Sequence, residues 1–156
     1  MVSMRAIVQR VLKAEVRVGG KVTGRIGAGL LVMVAVGLSD TEGTGAKIAE
    51  RIVNLRIFDN ESGKMDRSLL AVRGEILCVS EFTLYGDCRH GRRPSYVGAA
   101  SPQTARPLYN AFVESLRMLV SAQGGRVETG EFQAMMEVEA VNDGPVTLLL
   151  DSEKTF

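Results

Sequence analysis

Asn142-Asp143-Gly144-Pro145-Val146-Thr147 is the stretch whose reading decides how the chain folds. Residues 132–141 before it alternate apolar positions, and residues 146–150 after it are apolar. The pattern predicts a strand, a tight Gly-Pro corner and a second strand. Glycine permits backbone angles that other residues avoid. Proline fixes φ, removes a donor and brings a cis peptide bond within reach. Such a corner can aim successive backbone carbonyls the same way, out of the sheet. Acceptors of that kind read only where a donor stands. Taken alone, the hexapeptide is more simply a hairpin turn.

Working outward, the chain has 156 residues, 46% of them hydrophobic, which is an ordinary globular composition for a single domain over 1–156. Met1-Val2-Ser3 reads as a short extension before Met4. With 19 basic and 18 acidic residues the net charge is +1, so nucleic-acid binding would need a local patch. No apolar run reaches the ~20 residues of a membrane span. Two cysteines, Cys78 and Cys88, make no secreted disulfide framework, and a reducing cytoplasmic setting fits. His90 is the only histidine, so a zinc site of several His and Cys is close to excluded and a triad could use only His90. No metal or cofactor is expected. Chemistry must lean on hydroxyls, backbone groups, carboxylates or the substrate itself.

Residues 4–12 and 14–18 read as strands, with Gly19-Gly20 turning the chain into a strand over 21–26. The unbroken apolar run 30–36 predicts a central strand covered on both faces. Ser39 and Glu42 have capping-box spacing, and Ile48, Ile52 and Leu55 share a face, predicting a helix near 45–55. Residues 58–64 form a turn cluster that lacks the ligands of a calcium loop. Residues 68–72 stay ambiguous. A strand is predicted over 74–82. A second helix starts near Ser101-Pro102 and Thr104, with Thr104 favoured as the cap because Pro107 belongs in a first turn. It should end by Gly124-Gly125, before a strand at 126–129. The sum is an α/β fold: one curved, barrel-like mixed sheet with two main helices.

Ser80-Glu81-Phe82-Thr83-Leu84 runs off the end of the 74–82 strand. Ser80 and Thr83 share a side only if the strand breaks between them. By pattern alone they are ordinary β-forming and turn residues. Arg89-His90-Gly91-Arg92-Arg93-Pro94 then places basic side chains in a loop. That loop suits phosphate contact, or is simply a solvated turn.

Together, the stretches 80–84 and 142–147, about sixty residues apart, resemble the two signature motifs of the D-aminoacyl-tRNA deacylase family. Residues 4–11, 55–65, 85–94 and 148–152 share the likeness. The family hydrolyses the ester joining a D-amino acid to the terminal ribose of tRNA. The resemblance implies a homodimer in which a cis Gly144-Pro145 pair enters the partner's site and holds the substrate amino group. It implies Ser80 and Thr83 as the catalytic polar groups. Phe82 becomes a pocket wall, with backbone N–H groups nearby as an oxyanion hole. Glu81, Met136, Gly144 and Pro145 become substrate-binding positions, and Arg89, Arg92 and Arg93 contacts to tRNA phosphates. Cleavage of glycyl-tRNA is an expected side activity. This chain departs from the family in carrying Glu81 where Gln is usual, and Met135 and Glu137 where Asp and Gln are expected. Other readings are a non-catalytic tRNA-end binder on the same fold, or a related enzyme with a trans Gly-Pro pair.

Overall fold

The computed structural model describes residues 3–155, so Met1 and Val2 of the expected extension lie outside the described residues. In chain order the strands are β1 (Arg5–Val18), β2 (Lys21–Ile26), β3 (Gly29–Ala35), β4 (Phe58–Asp59), β5 (Met65–Arg67), β6 (Glu75–Ser80), β7 (Val127–Thr129) and β8 (Glu137–Asp151). The helices are α1 (Glu42–Asn54), α2 (Leu69–Val72) and α3 (Pro102–Ser121), with a 3₁₀ turn at Phe82–Tyr85.

β1 is the axis. The two strands expected at 4–12 and 14–18 are one, with register slips against β8 between Gln9 and Lys13 and against β2 between Val16 and Arg17. One edge of β1 pairs antiparallel with β8. The other carries β3 beside residues 5–11 and β2 beside residues 14–18. β6 and β7 continue from β3 in parallel. The sheet curls until β2 meets β7: a Cβ added at Gly24 would stand 2.5 Å from the Thr129 carbonyl oxygen. Only glycine lets the seam approach that closely.

Strand alternation divides the core in two. Ala6, Val8, Leu30, Val32, Val34, Ile76 and Cys78 face the helices, packing on Ile48, Ile52, Phe112 and Leu116. Val11, Leu31, Leu77 and Val79 face inside the curl, with Ala14, Val16 and Ile26. This double covering is why residues 30–36 carry no polar alternation.

Several boundaries differ from expectation. α1 is capped by Thr41, not Ser39: the Thr41 hydroxyl accepts the Thr44 N–H at 3.2 Å and Thr44 returns the bond. Asp40 is already committed, accepting the Met4 N–H at 2.8 Å and the Gly37 N–H at 2.6 Å. α3 is capped by Ser101, whose hydroxyl accepts the Thr104 N–H, so Pro107 lies inside the helix rather than in its first turn. Proline there removes the bond to the Gln103 carbonyl, on an exposed turn that water can satisfy. Residues 132–136 are not strand, because Gln133 sits at φ +68° and the Ala134 N–H turns back to the Glu131 carbonyl. Residues 58–64, expected only as a turn, open the small β4–β5 hairpin, which closes at Arg67.

Gly24→Ala should lower the unfolding free energy by about 1–3 kcal/mol in urea denaturation, because the seam must open to admit the methyl. Gly43→Ala in α1, where a Cβ meets nothing nearer than 3.7 Å, is the control and should not destabilise.

Candidate active site

β6 delivers the first motif. Ser80 is its last residue, in register with Val34. The Glu81 N–H still bonds the Val34 carbonyl at 2.8 Å, and then the chain winds into the 3₁₀ turn. The Leu84 N–H closes on the Glu81 carbonyl and the Gly86 N–H on the Thr83 carbonyl. The strand therefore breaks between Ser80 and Thr83, the condition their cooperation requires. The Thr83 hydroxyl donates to Glu81 Oε1 at 3.1 Å. Glu81 thus engages the hydroxyl and caps no backbone N–H of the turn. Phe82 points outward, 57% exposed, and meets Tyr96 edge-on with ring centres 5.3 Å apart. Behind the motif, the Tyr109 hydroxyl of α3 donates to the Cys78 carbonyl at 3.0 Å, fastening the end of β6 to the core. Burial pushes the Cys78 thiol up to about 12, so it stays protonated and unreactive.

The basic loop is folded on itself. Asp87 and Ser95 exchange backbone hydrogen bonds across it. The Asp87 carboxylate accepts Arg89 Nε at 2.9 Å, Arg89 Nη2 at 2.7 Å and the Arg89 N–H at 3.0 Å. The guanidinium and N–H of Arg89 hold the Asp87 carboxyl well below the usual carboxylate range. Arg89 is therefore paired within the loop though 81% exposed, and Arg92 and Arg93 lie exposed beside it.

The second motif is a bulge within one strand, which corrects the strand–corner–strand reading. Asn142 stands opposite Val11 and Thr147 opposite Gln9, so residues 143–146 project against Arg10 alone. The Gly144-Pro145 bond is cis. Gly144 lies at φ +128°, and a Cβ there would come within 2.7 Å of Val146 Cγ2. Asn142 Nδ2 spans the loop, donating to the Arg10 and Val146 carbonyls at 2.9 Å each. Arg10, its side chain 8% exposed, backs the corner. Its Nε donates to the Asp143 carbonyl and pairs with the Asp143 carboxylate at 3.2 Å. Its Nη1 donates to the Ile57 carbonyl at 2.7 Å and pairs with Asp59.

Arg10 and Asn142 were not among the sequence candidates. The signal was present for Arg10: it continues the series Met4, Ala6, Val8, where one charge interrupts a buried row.

The two motifs do not meet within one chain. Ser80 shares its row with Leu150 of β8 through Val34 and Ala6, whereas the corner stands at Arg10. Four residues and three strand spacings separate them, about 13 Å along the strands and roughly 14 Å across. Met136 packs against the inner cluster that contains Val79, next to Ser80. Three cavities, of about 260, 620 and 600 Å³, are lined by residues outside both motifs. Among the described residues no group of three His, Cys, Asp or Glu could hold a metal ion, and no helix is long and apolar enough to cross a membrane.

A strand end broken into a hydroxyl-bearing turn, with a cis Gly-Pro corner on the same sheet, suits an ester hydrolase. Residues 7–151 match the family model described as D-Tyr-tRNA(Tyr) deacylase. Proteins named D-aminoacyl-tRNA deacylase from Thermosipho melanesiensis and Symbiobacterium thermophilum are 57% and 55% identical, each over 98% of this chain and 100% and 99% of theirs. Among solved structures, one titled c-Myc DNA Unwinding Element Binding Protein superposes with a TM-score of 0.87 at 39% identity, covering 94% of this chain and 97% of that one. A probable eukaryotic D-amino acid tRNA deacylase superposes at 0.81 and 19% identity, over 96% and 99%, a likeness of fold. The chain belongs to the D-Tyr-tRNA(Tyr) deacylase family and is a hydrolase acting on D-aminoacyl-tRNA.

Arg10→Met should lower the unfolding free energy by about 2–3 kcal/mol in urea denaturation, since the buried Ile57 carbonyl loses its donor while the half-exposed Asp59 and Asp143 carboxylates are partly recovered by water. Arg10→Lys should recover less than half, because a point charge cannot span the Ile57 and Asp143 carbonyls together.

Proposed function

We propose that two copies of the chain build each active site, one supplying Ser80–Thr83 and the other inserting Gly144-Pro145. The observation that carries this is the separation of the two motifs within one chain. A second copy also has a place to pack: no strand pairs the outer edge of β8 among the described residues, and Leu149 stands 54% exposed in a row with Ile7 and Met33. A two-fold arrangement would bury the same face of each copy and form two equal sites.

On this reading the carbonyls of the corner hold the substrate's α-amino group. Phe82 and Met136 wall the pocket, and the ester carbonyl faces the N–H groups at the start of the 3₁₀ turn. Water adds to the ester carbon. The bond to the ribose oxygen then breaks, that oxygen leaves with a proton, and the free D-amino acid departs. Thr83 donates to Glu81 and keeps lone pairs with which to orient the water, and Ser80 assists. Neither forms a covalent intermediate; the neighbouring ribose hydroxyl aids proton transfer. With the amino group and ester fixed, an L side chain would run into main-chain atoms of the corner and a D side chain would point to open space. Glycine has no side chain to reject, so glycyl-tRNA is cleaved as a side reaction. Arg92 and Arg93, with Arg89 shaping their loop, contact phosphates of the acceptor end. The chain works as a single domain, without a cofactor, in the cytoplasm.

The decisive measurement compares hydrolysis of D-tyrosyl-, L-tyrosyl- and glycyl-tRNA. D-tyrosyl- and glycyl-tRNA should be cleaved and L-tyrosyl-tRNA should decay at its spontaneous rate; equal decay of all three would sink the reading. Shared sites are tested by mixing Thr83→Ala chains with Gly144→Val chains, each inactive alone. Cross-subunit sites predict recovery of roughly a quarter of wild-type activity on exchange, and same-chain sites predict none. Glu81→Gln keeps an acceptor for the Thr83 hydroxyl and should retain deacylation, whereas Glu81→Ala should lose about tenfold in kcat, the worth of one hydrogen bond.

A further inference from the structure

Arg5 opens β1, in register with Ala35 and Asp151, and its guanidinium turns toward the 3₁₀ turn. Arg5 Nη1 donates to the Leu84 carbonyl at 3.0 Å. The centre of the guanidinium stands 4.6 Å from the centre of the Tyr85 ring. Carbonyls at the end of a helical turn lack partners within it and carry partial negative charge, so a cation there satisfies both needs.

Tyr85 sharpens the point. Its ring is buried, 4% exposed, yet its hydroxyl has no hydrogen-bond partner among the described residues. Nothing on the hydroxyl therefore orients the ring. Burial first, and then the fields of Asp40, Asp151 and Glu153, keep that hydroxyl protonated against the field of Arg5. Short 3₁₀ segments have little stability of their own. This one is tied to β3 at its start, through the Glu81 N–H and Val34 carbonyl, and to β1 at its end through Arg5. Phe82 and Thr83 lie between the ties.

We infer that Arg5 is a positioning residue for deacylation: it fixes the Phe82–Tyr85 turn from behind and so sets where the Thr83 hydroxyl and the first N–H groups of the turn stand. The inference rests on reading Ser80–Thr83 as the reaction site. Arg5 touches no substrate in this account. Its loss loosens the reacting geometry and leaves the phosphate contacts that hold the tRNA.

The experiment combines amide hydrogen exchange with kinetics on Arg5→Ala and Arg5→Lys. In Arg5→Ala the amides of Leu84 and Gly86 should exchange at least about tenfold faster, as expected for one lost charge-assisted bond, while those of β3 keep their protection. On D-tyrosyl-tRNA, kcat should fall about tenfold or more with KM within about twofold, the pattern of an interaction felt only in the transition state. Free guanidinium at non-denaturing concentration should restore part of the kcat of Arg5→Ala and none of that of Thr83→Ala. Arg5→Lys should fall between, since an ammonium cannot stack and hydrogen-bond in the same plane. Unchanged exchange at Leu84 and Gly86 would overturn the inference, as would an undiminished kcat or a loss confined to KM. A wild-type protein inactive on D-tyrosyl-tRNA would count against the site itself, and exchange at the turn would still decide whether Arg5 holds it.

Discussion

Four residues of β8 stand against one residue of β1, and that residue is Arg10. A ladder this mismatched leaves backbone groups without sheet partners, and unpaired polar groups inside a protein are costly. Arg10 and Asn142 supply the missing partners. The guanidinium meets the Asp143 and Ile57 carbonyls, and Asn142 ties the two ends of the bulge. Bringing a charge to such a place costs several kcal/mol in lost hydration. Hydrogen bonds to a charged donor return about 1.5–3 kcal/mol each. The balance is close, so what Arg10→Met loses is chiefly the pairing of those carbonyls, and Arg10 adds little beyond it to general stability. It confines the corner to one shape, which an apolar residue of similar volume could not do.

The same strand serves the other motif. Arg5 and Arg10 point to opposite faces of β1, as strand alternation requires of an odd and an even position. One reaches the 3₁₀ turn after β6 and the other the bulge in β8. β1 therefore fixes the spacing of the two motifs rigidly, and fixes it too wide for one small substrate to bridge. On the proposed reading a second copy brings the two parts together, and among the described residues no strand pairs the edge of β8 beside the corner.

Periodicity made most of this fold legible. The strand at 30–36 and the stripes of α1 and α3 follow from burial, which writes itself into apolar spacing. The curl of the sheet was legible only as a tendency, because its closure depends on a single missing Cβ at Gly24. Helix starts were misplaced where two hydroxyl residues competed, as Ser39 with Thr41 and Ser101 with Thr104; side chains elsewhere decide which one is free to cap. The bulge was the largest miss. Two apolar runs flanking Gly-Pro look alike whether the chain reverses or carries on, and the difference lies in which partner strand both runs find. Ser80, Thr83, Gly144 and Pro145 were put forward by family resemblance. The residues that hold them, Arg5, Arg10 and Asn142, act across long sequence separations, and only Arg10 leaves a local trace, as the one charge in a buried alternating row. Arg89 shows the converse: its place in a basic loop marked it for phosphate, and Asp87, two residues before it, claims it.

The proposed reading makes the corner a chirality filter, and a corner made of main chain fits the problem such a filter faces. Selection by attraction is weak, because an added methylene in a pocket contributes only about 1–3 kcal/mol. It would also bind each side chain differently, so one pocket could not serve many amino acids. Exclusion by collision does not read the side chain at all; it reads only whether a Cβ occupies a forbidden direction. The demand shifts to rigidity, since a wall that yields by half an ångström stops excluding. The corner meets that demand from three sides: β1 pairing on each flank, the Asn142 span across its mouth and the Arg10 fork behind it. The limit of such a filter follows from the same geometry. A substrate with no Cβ offers nothing to collide with, so an enzyme that rejects by main-chain crowding must treat glycine as it treats the D-amino acids.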